Sequence, residues 1–380
     1  MQLHRDRSDG IAAEARPPSR HTSLDLIRGV GVLGILVMNA VSFGLIDAAY
    51  DNISADGMTT WLDWVIGVAG EVFVDQKFMG LFSALFGAGI VLYADGAEAK
   101  GQRAMLISLW RNLLLLFIGL LHSLLWAGDV LATYALAAPV LLLLRRLAPR
   151  TLYLSGVLTV MVSPAMAAWA QSTVDPSGAD LSSYRMDLFH TVDPFARAIG
   201  MMLIGVGLYK TGILTGDRSS SFYRRLSAWG LGVGVPLAAF GVVHVAANDF
   251  NPDMALVGSI PNTLGTIPMV LGYIGLIVLW NKRPETSLVV LLRATGRMAL
   301  TNYLTQSVIG VAVLTVLLAG VDLTRSTIAV FTVGVWALQL WWSKAWLDRY
   351  RFGPAEWLWR SATNLSLQPL GPRGTGNEIR

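Results

Sequence analysis

A bundle of α-helices threaded through a lipid bilayer about ten times is the fold that this sequence predicts. Three observations predict it. Apolar runs of spanning length recur from Leu24 almost to Leu347, and a bilayer core needs roughly 20 apolar residues per helix. The chain is 54% hydrophobic and 14% charged over 380 residues, too little charge to cover a soluble surface. The loops between the runs alternate in charge, as the loops of a multi-pass protein do.

The spans follow in order at about 24–46, 61–93, 105–127, 129–144, 151–171, 195–214, 226–247, 260–280, 297–319 and 326–347. The loops expected on the cytoplasmic side carry Lys100 and Arg103, then Arg145, Arg146 and Arg150, then Arg218, Arg224 and Arg225, then Lys282 and Arg283. The opposite loops carry Asp47, Asp51 and Asp56, then Asp175, Asp180, Asp187 and Asp193, then Asp249 and Asp253, with Arg185 and Arg325 as basic exceptions. This alternation puts both termini in the cytoplasm. The second segment, 61–93, is too long for one straight crossing and contains Glu71, Asp75, Gln76 and Lys77. A long tilted helix, or a helix broken near Asp75, satisfies the single net crossing that charge parity demands.

Beyond the spans, residues 285–296 read as a short interfacial helix and RFGPAEWLWR (351–360) as a Trp-rich surface segment. The first 20 residues are polar and have no apolar core, so no cleaved signal peptide is expected. The chain divides into a disordered arm (1–20), one transmembrane domain (21–362) and a disordered tail (363–380). The net charge of +4 resides in short loops and fits membrane topology rather than nucleic acid. There is no cysteine, which excludes disulfides, thiolate nucleophiles and Cys-based metal sites. His122, His190 and His244 are scattered without a metal-ligand spacing, so no metal is expected.

Polar groups inside a span are costly, which makes each a functional candidate. On the first span Arg28 and Asn39 share a helical face, eleven residues and about 16 Å apart. Arg111 and His122 repeat that spacing on the third span, and Asp129 follows just past its outer end. A buried His beside a carboxylate suits general-base work, because the Asp orients the ring and stabilises the imidazolium. The same residues also fit structural roles: Asp25 with Arg28 as an interfacial anchor, Asp129 as a helix cap, His122 bonded to a neighbouring helix. Lys77 lies near midspan beside Asp75, as an ion pair or as a ligand contact. On the ninth span Asn302 and Gln306 stand one turn apart, fit for interhelical hydrogen bonds or for substrate. His244, at the outer end of the seventh span, rivals His122.

The segments SLDLIRGVGVLGILVMN, KFMGLFSALFGAGI, RNLLLLFIGLLHSLLWAGDVLATYAL, GRMALTNYLTQS and FGPAEWLWR, in this order, resemble the YeiB (DUF418) family of bacterial membrane proteins from about residue 20 to 362. That family is in turn similar to transmembrane acyltransferases, heparan-α-glucosaminide N-acetyltransferase and the acyltransferase-3 group among them. The resemblance implies an enzyme of the bacterial inner membrane. It would take an acyl group from cytoplasmic acyl-CoA and pass it to an acceptor, a glycan or other cell-envelope molecule, at the outer face. His122 is the position that inherits the catalytic-base role, with Asp129 supporting it and Asn39 donating to the oxyanion. Arg28, Arg111 and Arg297, with Lys77, are the candidate contacts for acyl-CoA phosphates. Asn302, Gln306 and His244 are the candidate acceptor contacts. Membrane lipids are the expected surroundings; oligomeric state is open. A transporter of a small polar or anionic metabolite and a non-catalytic scaffold are the competing readings.

Overall fold

A computed structural model describes residues 22–171, 182–251 and 255–371. The chain forms an all-α, polytopic bundle: α1 Thr22–Gly44, α2 Ala48–Asp51, α3 Trp61–Phe73, α4 Lys77–Ala99, α5 Ala104–Ser123, α6 Leu131–Leu144, α7 Pro149–Val160, α8 Val162–Ala170, α9 Ser182–Lys210, α10 Ser220–Ala246, α11 Ala255–Asn281, α12 Ser287–Arg297, α13 Ala299–Gly310, α14 Arg325–Arg349 and α15 Pro354–Asn364. A π-helical stretch, Val311–Leu317, extends α13. Among the described residues, eight helical segments are long and apolar enough to cross a membrane. They coincide with eight of the ten expected spans. The other two are helices as well: α6, apolar but only 14 residues, hence about 21 Å, and the 25-residue α14.

The bundle is built for lipid. Leu106, Leu113, Phe117, Leu120 and Leu121 of α5, with Trp229, Val233, Phe240 and Val243 of α10, are exposed. Such an apolar outer belt is what a lipid-facing surface requires. α14 shows the complementary inversion. Thr332, Gln339 and Ser343 turn inward while Val330, Val333 and Trp341 face out. Polar groups there find partners only by facing protein.

α1 is the central helix, buried along most of its length and packed on α4, α11, α12, α13 and α14. Small residues allow this. A Cβ at Gly29 would overlap the Leu292 carbonyl oxygen, and one at Gly296 would overlap that of Asp25, so α1 and α12 touch backbone to backbone. α12 is therefore held against α1 and α14. α10 lies along α11, and α9 packs on α4 and α7.

The second segment is broken, not tilted: α3 ends at Phe73 and α4 begins at Lys77, with Gln76 at φ +61°. Of the two expected arrangements the structure takes the break near Asp75. The fifth span bends between α7 and α8, and the sixth begins earlier than expected, at Ser182. The expected disordered tail from 363 instead continues α15 to Asn364 and then folds back. Trp357 Nε1 donates to the Gln368 carbonyl at 2.7 Å, and the Arg351 amide to that of Leu370 at 3.1 Å. The arm 1–20 and the tail beyond Gly371 lie outside the described residues.

Candidate functional site

α5 ends at Ser123, one residue after His122, and the chain turns through Leu124–Val130 into α6. Asp129 closes that turn. Its Oδ2 accepts the Ala132 amide at 3.0 Å, satisfying one of the unpaired donors at the start of α6. Its Oδ1 lies 2.7 Å from His122 Nδ1 and accepts the Tyr303 hydroxyl of α13 at 3.3 Å. The same hydroxyl accepts the Val130 amide at 3.3 Å. Gly119, one turn before His122, makes room for this. A Cβ there would come within 2.6 Å of the Ala132 nitrogen and 3.0 Å of Asp129 Oδ2.

His122 and Asp129 are both buried. A carboxylate accepts only, so Nδ1 carries a proton, and in the neutral ring Nε2 is the acceptor. Nε2 is buried and has no hydrogen-bond partner among the described residues. A buried acceptor left unpaired is costly, and such atoms concentrate where a ligand completes them. Tyr303 and Trp126 flank the ring, at centroid distances of 5.4 and 6.3 Å.

Asn39 lies on the same side of α1. Ile35, one turn before it, shares an apolar cluster with Tyr303 and Ile118, and Ser42, just after it, accepts Trp126 Nε1 at 3.1 Å. Asn39, buried, falls on this same face of α1 between the two contacts.

The cations gather at the α15 end of the bundle. Arg111 is held between the rings of Tyr93, at 4.2 Å, and Trp359, at 4.0 Å. Trp359 Nε1 donates to the Arg111 carbonyl at 2.9 Å, tying α15 to α5. Arg28, 3.7 Å from Asp25, lies over Gly89 of α4, one turn before Tyr93. Arg28 and Arg360 both lie close enough to act on Arg111 electrostatically. Arg297 donates to the Arg351 carbonyl at 3.3 Å. Glu356 anchors α15 from the other side, taking the Leu300 and Thr301 amides at 2.7 and 3.1 Å. Burial pushes its carboxyl above the ordinary Glu range against the pull of those bonds.

Other candidates sit elsewhere. Lys77 is fully buried at the start of α4, twelve residues from Gly89 and so about 18 Å from Arg28's level. Its ammonium donates to Asn262 Oδ1 and to the Glu71 carbonyl; Asn262 in turn donates to Glu71 at 2.9 Å and to Asp75 at 3.1 Å. The expected Asp75–Lys77 pair is thus bridged by an amide from α11. Asn302 and Gln306 are fully buried and join α13 to α14 and α1. Asn302 bonds Thr295, Ser343 and Trp342, and Gln306 bonds Val32 and Gln339. His244 stacks on Phe240 of its own helix. α10 packs on α11 and α3, whereas α5 packs on α4, α6 and α15, so the two histidines are not neighbours.

Tyr303, Tyr93, Trp359 and Gly119 went unmarked in the sequence. All four lie within or beside the quoted motifs. Neutral aromatics and glycines are common in spans, so nothing in the one-dimensional pattern separates these from packing residues.

The family described as "Protein of unknown function (DUF418)" matches residues 208–366. The chain is 32% identical over 403 residues to the uncharacterized protein YeiB of Escherichia coli (strain K12), covering 93% of this chain and 98% of that one. It is 28% identical over 396 residues to the uncharacterized protein YxaH of Bacillus subtilis (strain 168), covering 92% and 96%. No solved structure matches.

Proposed function

Because the chain belongs to the DUF418 family of which YeiB is a relative, a family whose activity is open, we propose from its site that it is an acyltransferase embedded in the bacterial inner membrane, taking acyl groups from acyl-CoA. The observation that carries the reading is the His122 ring. Asp129 grips one nitrogen, and the other is buried with no hydrogen-bond partner among the described residues. A scaffold has no use for such an atom.

In the proposed reaction the acceptor hydroxyl or amine gives its proton to His122 Nε2 as its oxygen or nitrogen attacks the thioester carbonyl. The tetrahedral oxyanion takes a hydrogen bond from the Asn39 amide. When the C–S bond breaks, the imidazolium returns the proton to the departing thiolate, so free CoA and the acylated acceptor leave with charges balanced. Asp129 stabilises the imidazolium, and Tyr303 holds Asp129 in place. Arg28, Arg111 and Arg297 would meet the phosphates at the α15 end. The eleven-residue spacing from Arg111 to His122, about 16 Å, leaves room for the extended thiol-bearing arm.

The test is equilibrium binding of acetyl-CoA and longer acyl-CoAs to the protein in nanodiscs, followed by single-turnover release of CoA with a panel of glycan acceptors. Saturable binding weakened by Arg28→Ala supports the reading. A folded, monodisperse sample that binds no acyl-CoA removes it and leaves transport as the function to pursue.

A further inference from the structure

We infer that a second cavity, on the face of α1 turned away from Asn39, binds a neutral carbonyl compound drawn from the lipid. Such a ligand has an apolar body that presents carbonyl oxygens, as a quinone ring or an acyl ester does. The cavity has a volume of about 140 Å³ and lies between α1, α2, α3 and α14. Its walls are mainly Val37, Met38, Val41, Ile66, Ile328 and Trp336. An apolar protein cavity of about 150 Å³ accommodates a benzene-sized group. On α1 the positions 37, 38 and 41 fall on one side and Asn39 on the other, so α1 separates this cavity from His122. Val333 of α14 also lines the cavity and is 58% exposed, within the apolar outer belt. The cavity therefore reaches the lipid-facing surface, where a ligand with a long tail leaves that tail in the bilayer.

Two donors reach into this apolar space. Arg325 is 5% exposed. Its Nη2 donates to the Ala49 and Ile53 carbonyls at 2.8 and 3.3 Å, while its Nε is buried with no partner among the described residues. That Nε lies along the cavity wall, 3.4 Å from where a Cβ at Gly67 would stand. Tyr50 lines the cavity with a hydroxyl that no described residue bonds. A guanidinium N–H only donates, so its missing partner is an acceptor, and a carbonyl oxygen accepts without bringing a donor of its own.

The charges around the cavity are already matched, which makes the ligand neutral. Glu71 also lines the wall, but it belongs to the Lys77 cluster. Asn262 donates to its Oε1 at 2.9 Å, and Lys77, bonded to Asn262 and to the Glu71 carbonyl, is its cation. Arg325 in turn has Glu71, Asp56 and Asp63 close enough to act on it electrostatically. The site thus lacks an acceptor, not a charge. An anion would meet Glu71 across the cavity, and a cation would meet Arg325. A pure hydrocarbon would leave the Arg325 N–H and the Tyr50 O–H without acceptors in an apolar surround, which is costly. A neutral acceptor on an apolar body fits the walls, the donors and the charges together.

The experiment uses the full chain in nanodiscs, with binding counted above that of empty nanodiscs. Radiolabelled decyl-benzoquinone and dioctanoylglycerol are titrated separately, so that the one that binds saturably names the source of the carbonyl. Decylbenzene, which keeps the ring and tail without the carbonyls, and decanoate, which carries a charge, are the competitors. Each should be at least about fivefold weaker than the carbonyl probe. Tyr50→Phe keeps the ring, removes one donor and should weaken binding about fivefold; Arg325→Gln should do so about tenfold. Gly70 lines the cavity and a Cβ there meets nothing within 4 Å, so Gly70→Leu fills the space without a clash and should abolish binding in a protein that still melts cooperatively. If Arg325→Gln fails to fold, Tyr50→Phe and Gly70→Leu decide. Absent binding of both carbonyl probes by folded protein overturns the inference. So does decylbenzene or decanoate binding as tightly as the carbonyl probe, or binding that survives Gly70→Leu. None of these outcomes depends on acyl-CoA, whose site lies across α1.

Discussion

His122 Nδ1 lies 2.7 Å from Asp129 Oδ1 across the turn that joins α5 to α6, and Gly119 is the residue that lets the two approach. The pair fixes the tautomer of the neutral ring, with Nε2 as its acceptor. His122→Ala should lower acyl transfer by about 10²–10⁴-fold and leave acyl-CoA affinity within a factor of a few. Single-turnover kinetics beside equilibrium binding separate these, and undiminished transfer by a folded variant rules His122 out as base.

Gly119→Val tests the same pair without touching either member. The added Cβ alone would stand 2.6 Å from the Ala132 nitrogen and 3.0 Å from Asp129 Oδ2, so α6 must shift. Overpacking of this kind costs about 1–3 kcal/mol. A lower thermal midpoint together with reduced transfer is expected; a variant as stable and active as the parent shows that Asp129 is not held there.

Trp359→Ala removes both a face over Arg111 and the bond to its carbonyl. Acyl-CoA affinity should fall several-fold, with a weaker dependence on salt, since Arg111 loses its fixed position at the phosphate end. Affinity and salt slope measured side by side check this. An unchanged slope detaches Arg111 from phosphate binding.

Lys77→Met should be among the most damaging single changes. It leaves Glu71 and Asp75 buried near each other without their shared cation, and breaking a buried charge set costs about 3–5 kcal/mol. The fraction that does fold should bind acyl-CoA normally, because Lys77 lies at the far end of α4 from Arg28. Loss of binding in that folded fraction would bring Lys77 back among the donor contacts.

Glu356 gives the docking of α15 a pH dependence. Burial raises its carboxyl above the ordinary Glu range. The folded state therefore holds that proton more tightly than the unfolded state. Its stabilising contribution is complete at low pH and is lost as pH rises through the raised value. Glu356→Gln should flatten that part of the stability profile, as followed by denaturant midpoints across mildly acidic pH. An unaltered profile assigns the slope to another group.

The helices that cross the bilayer were legible because hydrophobic transfer acts on each segment separately, and a run of about 20 apolar residues announces itself. The break near Asp75 was half legible: four polar residues at spanning depth demanded either a bend or a wet face, without saying which. The Arg111–His122 stripe was legible too, because helical periodicity puts residues eleven apart on one face. The partner of Lys77 was not. Asn262 lies 185 residues away, and no local pattern distinguishes it from any other span asparagine.

By itself, then, the sequence determined the all-α membrane bundle, its crossing segments and the costly polar groups within them. Only the tertiary structure decided that Asp129 turns back onto His122, that Trp359 covers Arg111, and that Arg325 and Glu71 share a cavity. The reason is the range of the forces. Burial in lipid is set residue by residue along the chain. A hydrogen bond or an ion pair exists only once helix packing has brought its two ends within about 3 Å.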